Sequence, residues 1–272
     1  MSFKISRYGW QPDLPDQRDF QYKAPAAFLR ALPKKVDLRK QCPPVYNQED
    51  LGSCTANSIG AAFEFEMMKQ HAADLFMPSR LFIYYNERVI EHTVKTDSGA
   101  QIRDGIKTVS KKGVCSEKIW PYIIDKFTHK PSSSAFTAAK KNQVLSYQRV
   151  VQTLSQMKGC LASGYPFVFG FTVYDSFESE TVAKTGKLNM PGKHEKVVGG
   201  HAVVGVGYDD KSKRFIIRNS WGKNWGLNGY FTMPYDYLLN ENLADDFWTI
   251  RIVECSPAKT KPKTIKSNQR TN

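Results

Sequence analysis

Acid is what this 272-residue chain is short of: 26 Asp and Glu stand against 39 Lys and Arg, for a net charge of +13. Part of the excess follows Cys255, where Lys259, Lys261, Lys263, Lys266 and Arg270 have no acid among them. Such a run reads as a solvated, disordered end, and nucleic acid is the partner it would suit if it binds anything. Cysteine is also sparse. Cys42, Cys54, Cys115, Cys160 and Cys255 are odd in number and widely spread. Without C-x-x-C spacing they argue against a zinc site, and their count leaves at least one thiol unpaired. No run of about 18 apolar residues exists, so no membrane-spanning helix is expected. The first ten residues lack the apolar core of a signal peptide. Phosphate-binding loops and metal-ligand sets are missing as well, so neither cofactor nor metal is expected.

What is present suffices for a large core: 41% of residues are hydrophobic and 12% aromatic. The length suits one large domain or two closely packed lobes. Residues 1–33 carry Pro, Asp, Arg and aromatics without a helical or strand period, and read as an extended arm lying on a surface. Trp10, Phe20 and Tyr22 in this arm need something apolar to cover them. Gln48 through Met68 reads as a loop closing onto a helix, with Ser53 as N-cap and Ala56, Ile59, Ala62, Phe63 and Met67 on one stripe. Cys54 falls in that helix's first turn, where orphan N–H groups and the positive dipole end favour thiolate over thiol.

Further along, residues 78–90 and 102–112 read as helices, the second closed by Gly113. Ser132 to Ser134 reads as a loop, and residues 153–163 as a short helix. Residues 166–173, 199–208, 214–219, 229–233 and 246–253 are rich in β-branched and aromatic residues and read as strands. Helices first and sheet second argue for an α+β fold of two lobes with a cleft between them. The expected boundaries are an arm at 1–33, a main domain at 34–255 with lobes meeting near 130, and a basic tail at 256–272.

Three features then need one explanation. Cys54 opens a helix in the first half; His201 follows two glycines at the start of a strand in the second. Asn219 ends the next strand before Ser220-Trp221-Gly222, with Trp225-Gly226 close behind. Singly, each has an ordinary structural explanation: a core histidine, a turn cap, core tryptophans. Together, in this order and with these glycine flanks, they do not.

The chain resembles the papain-like cysteine peptidases, which include the cathepsins, over about residues 34–255. The shared marks are Gln48 six residues before Cys54, Gly52-Ser53-Cys54, Gly200-His201-Ala202-Val203, and Asn219-Ser220-Trp221-Gly222. A compact bacterial or viral branch fits best. The resemblance implies a two-lobe fold, helical then barrel-like, and a thiol protease acting on polypeptide as a monomer. It implies Cys54 as nucleophile, His201 as acid and base, Asn219 as its orienter and Gln48 as an oxyanion donor. Trp221 would shield the Asn–His bond from water and also border the bound substrate.

For substrate, the resemblance points to Ser98, Gly99 and Ala100 as a backbone-binding stretch. It points to Gly170, Val198, Gly199 and Gly200 around a specificity pocket, with Asp245 or Asp246 at its floor. A carboxylate there favours a basic side chain; an exposed acidic turn is the plain alternative. Two departures stand out. Leu51 occupies a position where many members have a disulfide cysteine, and Thr55 replaces a tryptophan. Only about 33 residues precede the matching stretch, so the arm is expected to act as a short inhibitory propeptide in place of a long helical one. A papain-fold binding or acyl-transfer protein with a nucleic-acid-contacting tail is the alternative. Cytoplasm or virion is the expected location.

Overall fold

The computed structural model describes residues 8–255; residues 1–7 and the basic tail at 256–272 lie outside the described residues. The first half holds β1 (Gln21–Tyr22), α1 (Ala26–Arg30), β2 (Lys35–Asp37), α2 (Cys54–Lys69), α3 (Arg80–Ile90), α4 (Ile102–Lys112) and α5 (Ser133–Ala139). The second holds β3 (Val144–Val150), α6 (Leu154–Ala162), β4 (Phe167–Tyr174), α7 (Glu180–Thr185), β5 (Val197–Asp209), β6 (Arg214–Arg218), β7 (Tyr230–Pro234), α8 (Tyr235–Leu239) and β8 (Ala244–Val253). This is the expected α+β order.

Helix α2 is the hub. A single apolar stripe was the expectation, but the helix is buried on nearly every side: Thr55, Asn57, Ser58 and Glu66 are buried along with Ile59, Phe63 and Met67. A helix wrapped in this way has no polar face to show. It packs on α3 and α4 on one side and on β5 and β8 on the other, with the Ser58 hydroxyl donating to the Ala202 carbonyl at 2.9 Å. Ser53 sits at the N-cap position but its side chain caps no helix N–H. Its hydroxyl instead pairs with Tyr122 at 2.6 Å. The neighbouring helices use ordinary chemistry. Ser79 Oγ accepts from Phe82 N at 3.1 Å to start α3, and Gly113 at φ 75° ends α4.

The serines at 132–134 are not a loop. Ser132 Oγ accepts from Ala135 N at 3.2 Å and opens α5.

The strands run β1-β3-β8-β4-β5-β6-β7, with β2 also on β5; all pairings are antiparallel except β1 with β3. Strand β5 is the longest; its first half stays paired with β4 from Val197 to Ala202, and the strand packs against α2. Because Val204 pairs with Arg218, residues 201 and 219 come to the same end of adjacent strands. That register is what closes the 18-residue gap between them.

The arm does lie on a surface, but it is not wholly irregular: β1 extends the sheet and α1 packs on α6. Upstream of β1 the chain runs across the cleft. Trp10 bridges Ala100 in parallel, Trp10 N donates to Gly200 O at 3.0 Å, and Gln11 N donates to Ala100 O at 3.1 Å. Trp10 and Tyr22 are buried as their aromatic character requires, whereas Phe20 is 77% exposed.

Candidate active site

The first turn of α2 places Cys54 at the floor of the cleft, wholly buried. Its Sγ accepts from Ala202 N at 3.3 Å, which sets the sulfur against β5 immediately beside His201. His201 Nε2 meets Asn219 Oδ1 at 2.8 Å. Its other nitrogen, Nδ1, is buried and makes no hydrogen bond among the described residues. Trp221 lies over the imidazole with ring centroids 5.1 Å apart, and Phe171 and Phe177 flank it at 5.8 and 6.3 Å. An apolar wall of this kind keeps water from competing for the His–Asn bond.

Gln48 is equally constrained. Its Oε1 accepts from Ser220 Oγ at 2.6 Å, and its Nε2 donates to Leu51 O at 3.0 Å. The backbone joins in, with Gln48 N donating to Ser220 O at 2.8 Å. The loop holding Gln48 and Cys54 is thereby tied to the loop holding Asn219 and Trp221.

Electrostatics depart from the expectation that a helix N-terminus makes Cys54 a thiolate. Burial pushes the thiol up to about 12, and the N–H groups of Ala202, Gly9 and Thr55 offset this only in part. Burial likewise pushes His201 down to about 4, against the hydrogen bond to Asn219, which raises it. With the arm in place the pair is a neutral thiol and a neutral imidazole. Desolvation of two charges outweighs the dipole here.

The arm is the cover. Gly9 packs so closely on Gly52 that a Cβ would stand 1.7 Å from the Gly52 carbonyl oxygen, so no other residue fits. Trp10 fills the space over Gly170 and Gly200, where a Cβ on Gly170 would fall 1.9 Å from the indole. Tyr8 sets its ring edge-on to His201 at 5.9 Å, and its hydroxyl donates to Glu178 Oε1 at 2.8 Å.

The sequence-derived substrate residues divide into those the arm touches and those it does not. Ala100 N donates to Gly9 O at 2.7 Å, and Gln11 Nε2 donates to Ser98 O at 2.6 Å. Gly99 and Gly199 lie against Gly9 and Tyr8, and Gly170 and Gly200 against Trp10. Val198 is partly exposed at the rim. Asp245 is corrected: its carboxylate turns back to accept from Asp246 N at 2.6 Å. The carboxylate beneath Trp10 is that of Asp246, which accepts from Trp10 Nε1 at 3.0 Å. Asp246 has φ 59°, and this left-handed step breaks the strand's alternation and turns its side chain inward.

Several supporting residues carried no signal in the sequence. Gly52 N donates to both Asp97 oxygens at 3.1 Å, fixing the loop before Cys54, and Tyr84 also donates to Asp97. Asn57 Nδ2 donates to Ser53 O at 2.9 Å. Thr55 donates to Glu87 at 2.6 Å in the space expected of a larger residue, and burial raises Glu87 to about 8. Each is an ordinary polar residue until the fold gives it a partner. Cys115 and Cys160 are buried free thiols, as expected of core cysteines; Cys42 and Cys255 are also free and half-buried. His71, His92, His129 and His194 are all exposed.

The family model described as papain family cysteine protease matches residues 32–245. The chain belongs to the papain family of cysteine proteases. Among curated relatives, an uncharacterized peptidase C1-like protein of Acanthamoeba polyphaga mimivirus is 47% identical, over 92% of this chain and 88% of that protein. Mouse pro-cathepsin H is 30% identical over 73% of this chain and 59% of its own length. Among solved structures, xylellain, a cysteine protease from Xylella fastidiosa, is similar with a TM-score of 0.85 and 47% identity, covering 90% of this chain and 95% of that one. Digestive procathepsin L 3 of Tenebrio molitor shares the fold at a TM-score of 0.65 and 17% identity. The protein is thus a cysteine peptidase with the papain-like α+β fold.

Proposed function

We propose that this papain-family protease cuts polypeptide through a Cys54 thioester, with His201 moving the proton, Asn219 orienting it and Gln48 helping to hold the oxyanion. The observation that carries this reading is the single buried cluster that joins α2 to β5 and β6. His201 Nε2 is held by Asn219 at 2.8 Å, leaving Nδ1 free on an imidazole next in sequence to the residue whose N–H contacts Cys54 Sγ. Once the cleft is open, the Cys54 proton passes to His201 and the sulfur adds to the carbonyl carbon. The oxygen takes up the negative charge; collapse then expels the amine, which receives the proton from His201. Water activated by the same imidazole hydrolyses the thioester and restores the thiol.

Asn219 suits this role because it orients the ring without adding a charge. The Gln48 amide and the Cys54 N–H are the donors for the oxyanion. Replacing Gln48 by Ala is expected to lower kcat by about a hundredfold with little change in KM. Steady-state kinetics check this, and an unchanged kcat would remove Gln48 from the role.

The arm is an autoinhibitory segment in this reading. It presents the sulfur with the Gly9 N–H, a hydrogen-bond donor. The Gly9 carbonyl oxygen accepts from Ala100 N at 2.7 Å. A chain seated in this way blocks the cleft. When Trp10 leaves, Asp246 retains Arg149 as its ion partner at 2.9 Å. The pocket therefore favours a large side chain with an N–H donor, a description that fits a basic residue and also an indole.

Prolonged incubation of the full chain with a thiol-alkylating epoxide, followed by peptide mapping, tests the nucleophile. Modification confined to Cys54 is the expected outcome. Labelling of Cys42 or Cys255 with Cys54 untouched would overturn the assignment.

A further inference from the structure

The arm is anchored a few residues beyond the cleft by a charge cluster that the proposed mechanism does not use. Asp13 of the arm and Asp246 of β8 are both fully buried at the side chain, and Asp13 N donates to Asp246 Oδ2 at 2.8 Å. Two guanidiniums face them. Arg149 on β3 pairs with Asp246 at 2.9 Å and stands 3.8 Å from Asp13; Arg103 on α4 also stands 3.8 Å from Asp13. The arm adds a third carboxylate, Asp19, which pairs with Arg103 at 2.7 Å and lies 4.0 Å from Arg149. From β8 the Trp248 indole donates to Asp13 Oδ2 at 3.2 Å. At the margin stand Asp245 beside Asp246, Tyr147 beside Asp19 and Asp104 beside Arg103.

Asp13, Asp246 and Asp19 face Arg103 and Arg149, while Arg18 and Asp16 at the exposed edge near Asp19 and Arg103 pair with each other and add no net charge, so the cluster holds one uncompensated negative charge. Hydrogen bonding decides which acid is neutralised. Asp246 accepts from the Trp10 indole, the Asp13 amide and both Arg149 terminal nitrogens. Among the described residues Asp13 accepts from Trp248 and, at 3.4 Å, from Arg103 N. Donors aimed at Asp246 stabilise its ionised form, so the proton belongs on Asp13.

We propose that the arm is a proton-loaded latch: seating Asp13 beside Asp246 takes up a proton, so the cleft is shut in acid and opens as the solution becomes alkaline. The proposal rests on the arm's inhibitory role. Burial and the Asp246 charge push Asp13 up to about 7 when seated, against the pull of Arg103 and Arg149, and burial raises Asp246 too. When the arm lifts, Asp13 returns to water and to the ordinary carboxylate range near ~4. A group whose pKa is raised in the seated state stabilises that state below the raised value and ceases to do so as pH climbs through it. The contribution is therefore lost progressively between about pH 4 and about pH 7, so docking weakens upward through that window and levels off above it.

Hydrogen exchange measures docking directly, without relying on turnover. In the full chain carrying Cys54→Ala, which prevents self-cleavage, the Trp10 and Ala100 amides report the seated arm through their bonds to Gly200 and Gly9. Corrected for intrinsic rates, their protection is expected to fall about a hundredfold from pH 5.0 to 8.5, while core amides of β5 and β6 hold theirs. In Asp13→Asn, whose neutral amide imitates the protonated acid, the fall is expected to vanish. Protection that stays level or rises with pH in the parent would overturn the latch, as would an unchanged slope in Asp13→Asn. The parent series decides the matter even if the variant does not fold. An arm unprotected at every pH would instead sink the inhibitory reading on which the latch rests.

Discussion

Replacing Trp10 by Ala in the full chain is expected to raise kcat/KM toward a peptide substrate by about a hundredfold or more. The indole fills the space over Gly170 and Gly200 and donates to Asp246. Truncating a buried tryptophan costs about 3–5 kcal/mol, and each ~1.4 kcal/mol is a factor of ten in the docking equilibrium. The arm also keeps backbone bonds to Ala100 and Gly200, which set the lower end of that range. The measurement is the initial rate on a fluorogenic peptide at fixed pH, with Trp10→Phe as the conservative comparison. Equal rates for the parent and the Ala variant would mean that the arm does not limit access.

In that same Trp10→Ala chain, Cys54→Ala is expected to abolish turnover, a loss of at least about 10⁴-fold. No other cysteine can substitute: among the remaining four, Cys115 and Cys160 are buried thiols pushed up to about 11 by desolvation, and none adjoins His201. His201→Ala should cost a similar factor, and the double variant little more than either single one. Residues that work as one unit lose their joint effect once, not twice. Additive losses would show that sulfur and imidazole act separately, contrary to the proposed thioester route.

The residues proposed for the chemistry were singled out because they sit in local signals. Cys54 follows a glycine loop and opens an apolar helix, His201 follows two glycines, and Asn219 precedes Ser220-Trp221-Gly222. The helix at 102–112 and its stop at Gly113 were readable for the same reason, since period and cap are both short-range. Where reading failed, a distant partner decided. The serines at 132–134 look like a loop, and a cap differs from a loop only in whether the following residues pack, as Ala135 and Ala139 do. Choosing Asp246 over Asp245 depended on one left-handed residue in β8, which no alternation pattern foretells.

The protonation state of Cys54 shows most clearly what each level decides. Helix position alone argues for a thiolate, since a first-turn sulfur faces unpaired N–H groups whatever lies elsewhere. The opposite result here comes from Tyr8, Gly9 and Trp10, about 45 residues upstream, which exclude the water that either charge would need. The sequence by itself determined the family, the α+β order and the four residues proposed for chemistry, because these depend on residue type, spacing and chain order. Only the tertiary structure decided that the cleft is closed, that Asp246 is the acid beneath Trp10, and that Asp13 meets it from 233 positions away. Burial and charge pairing are properties of what surrounds a group, and those surroundings exist only once the chain has folded.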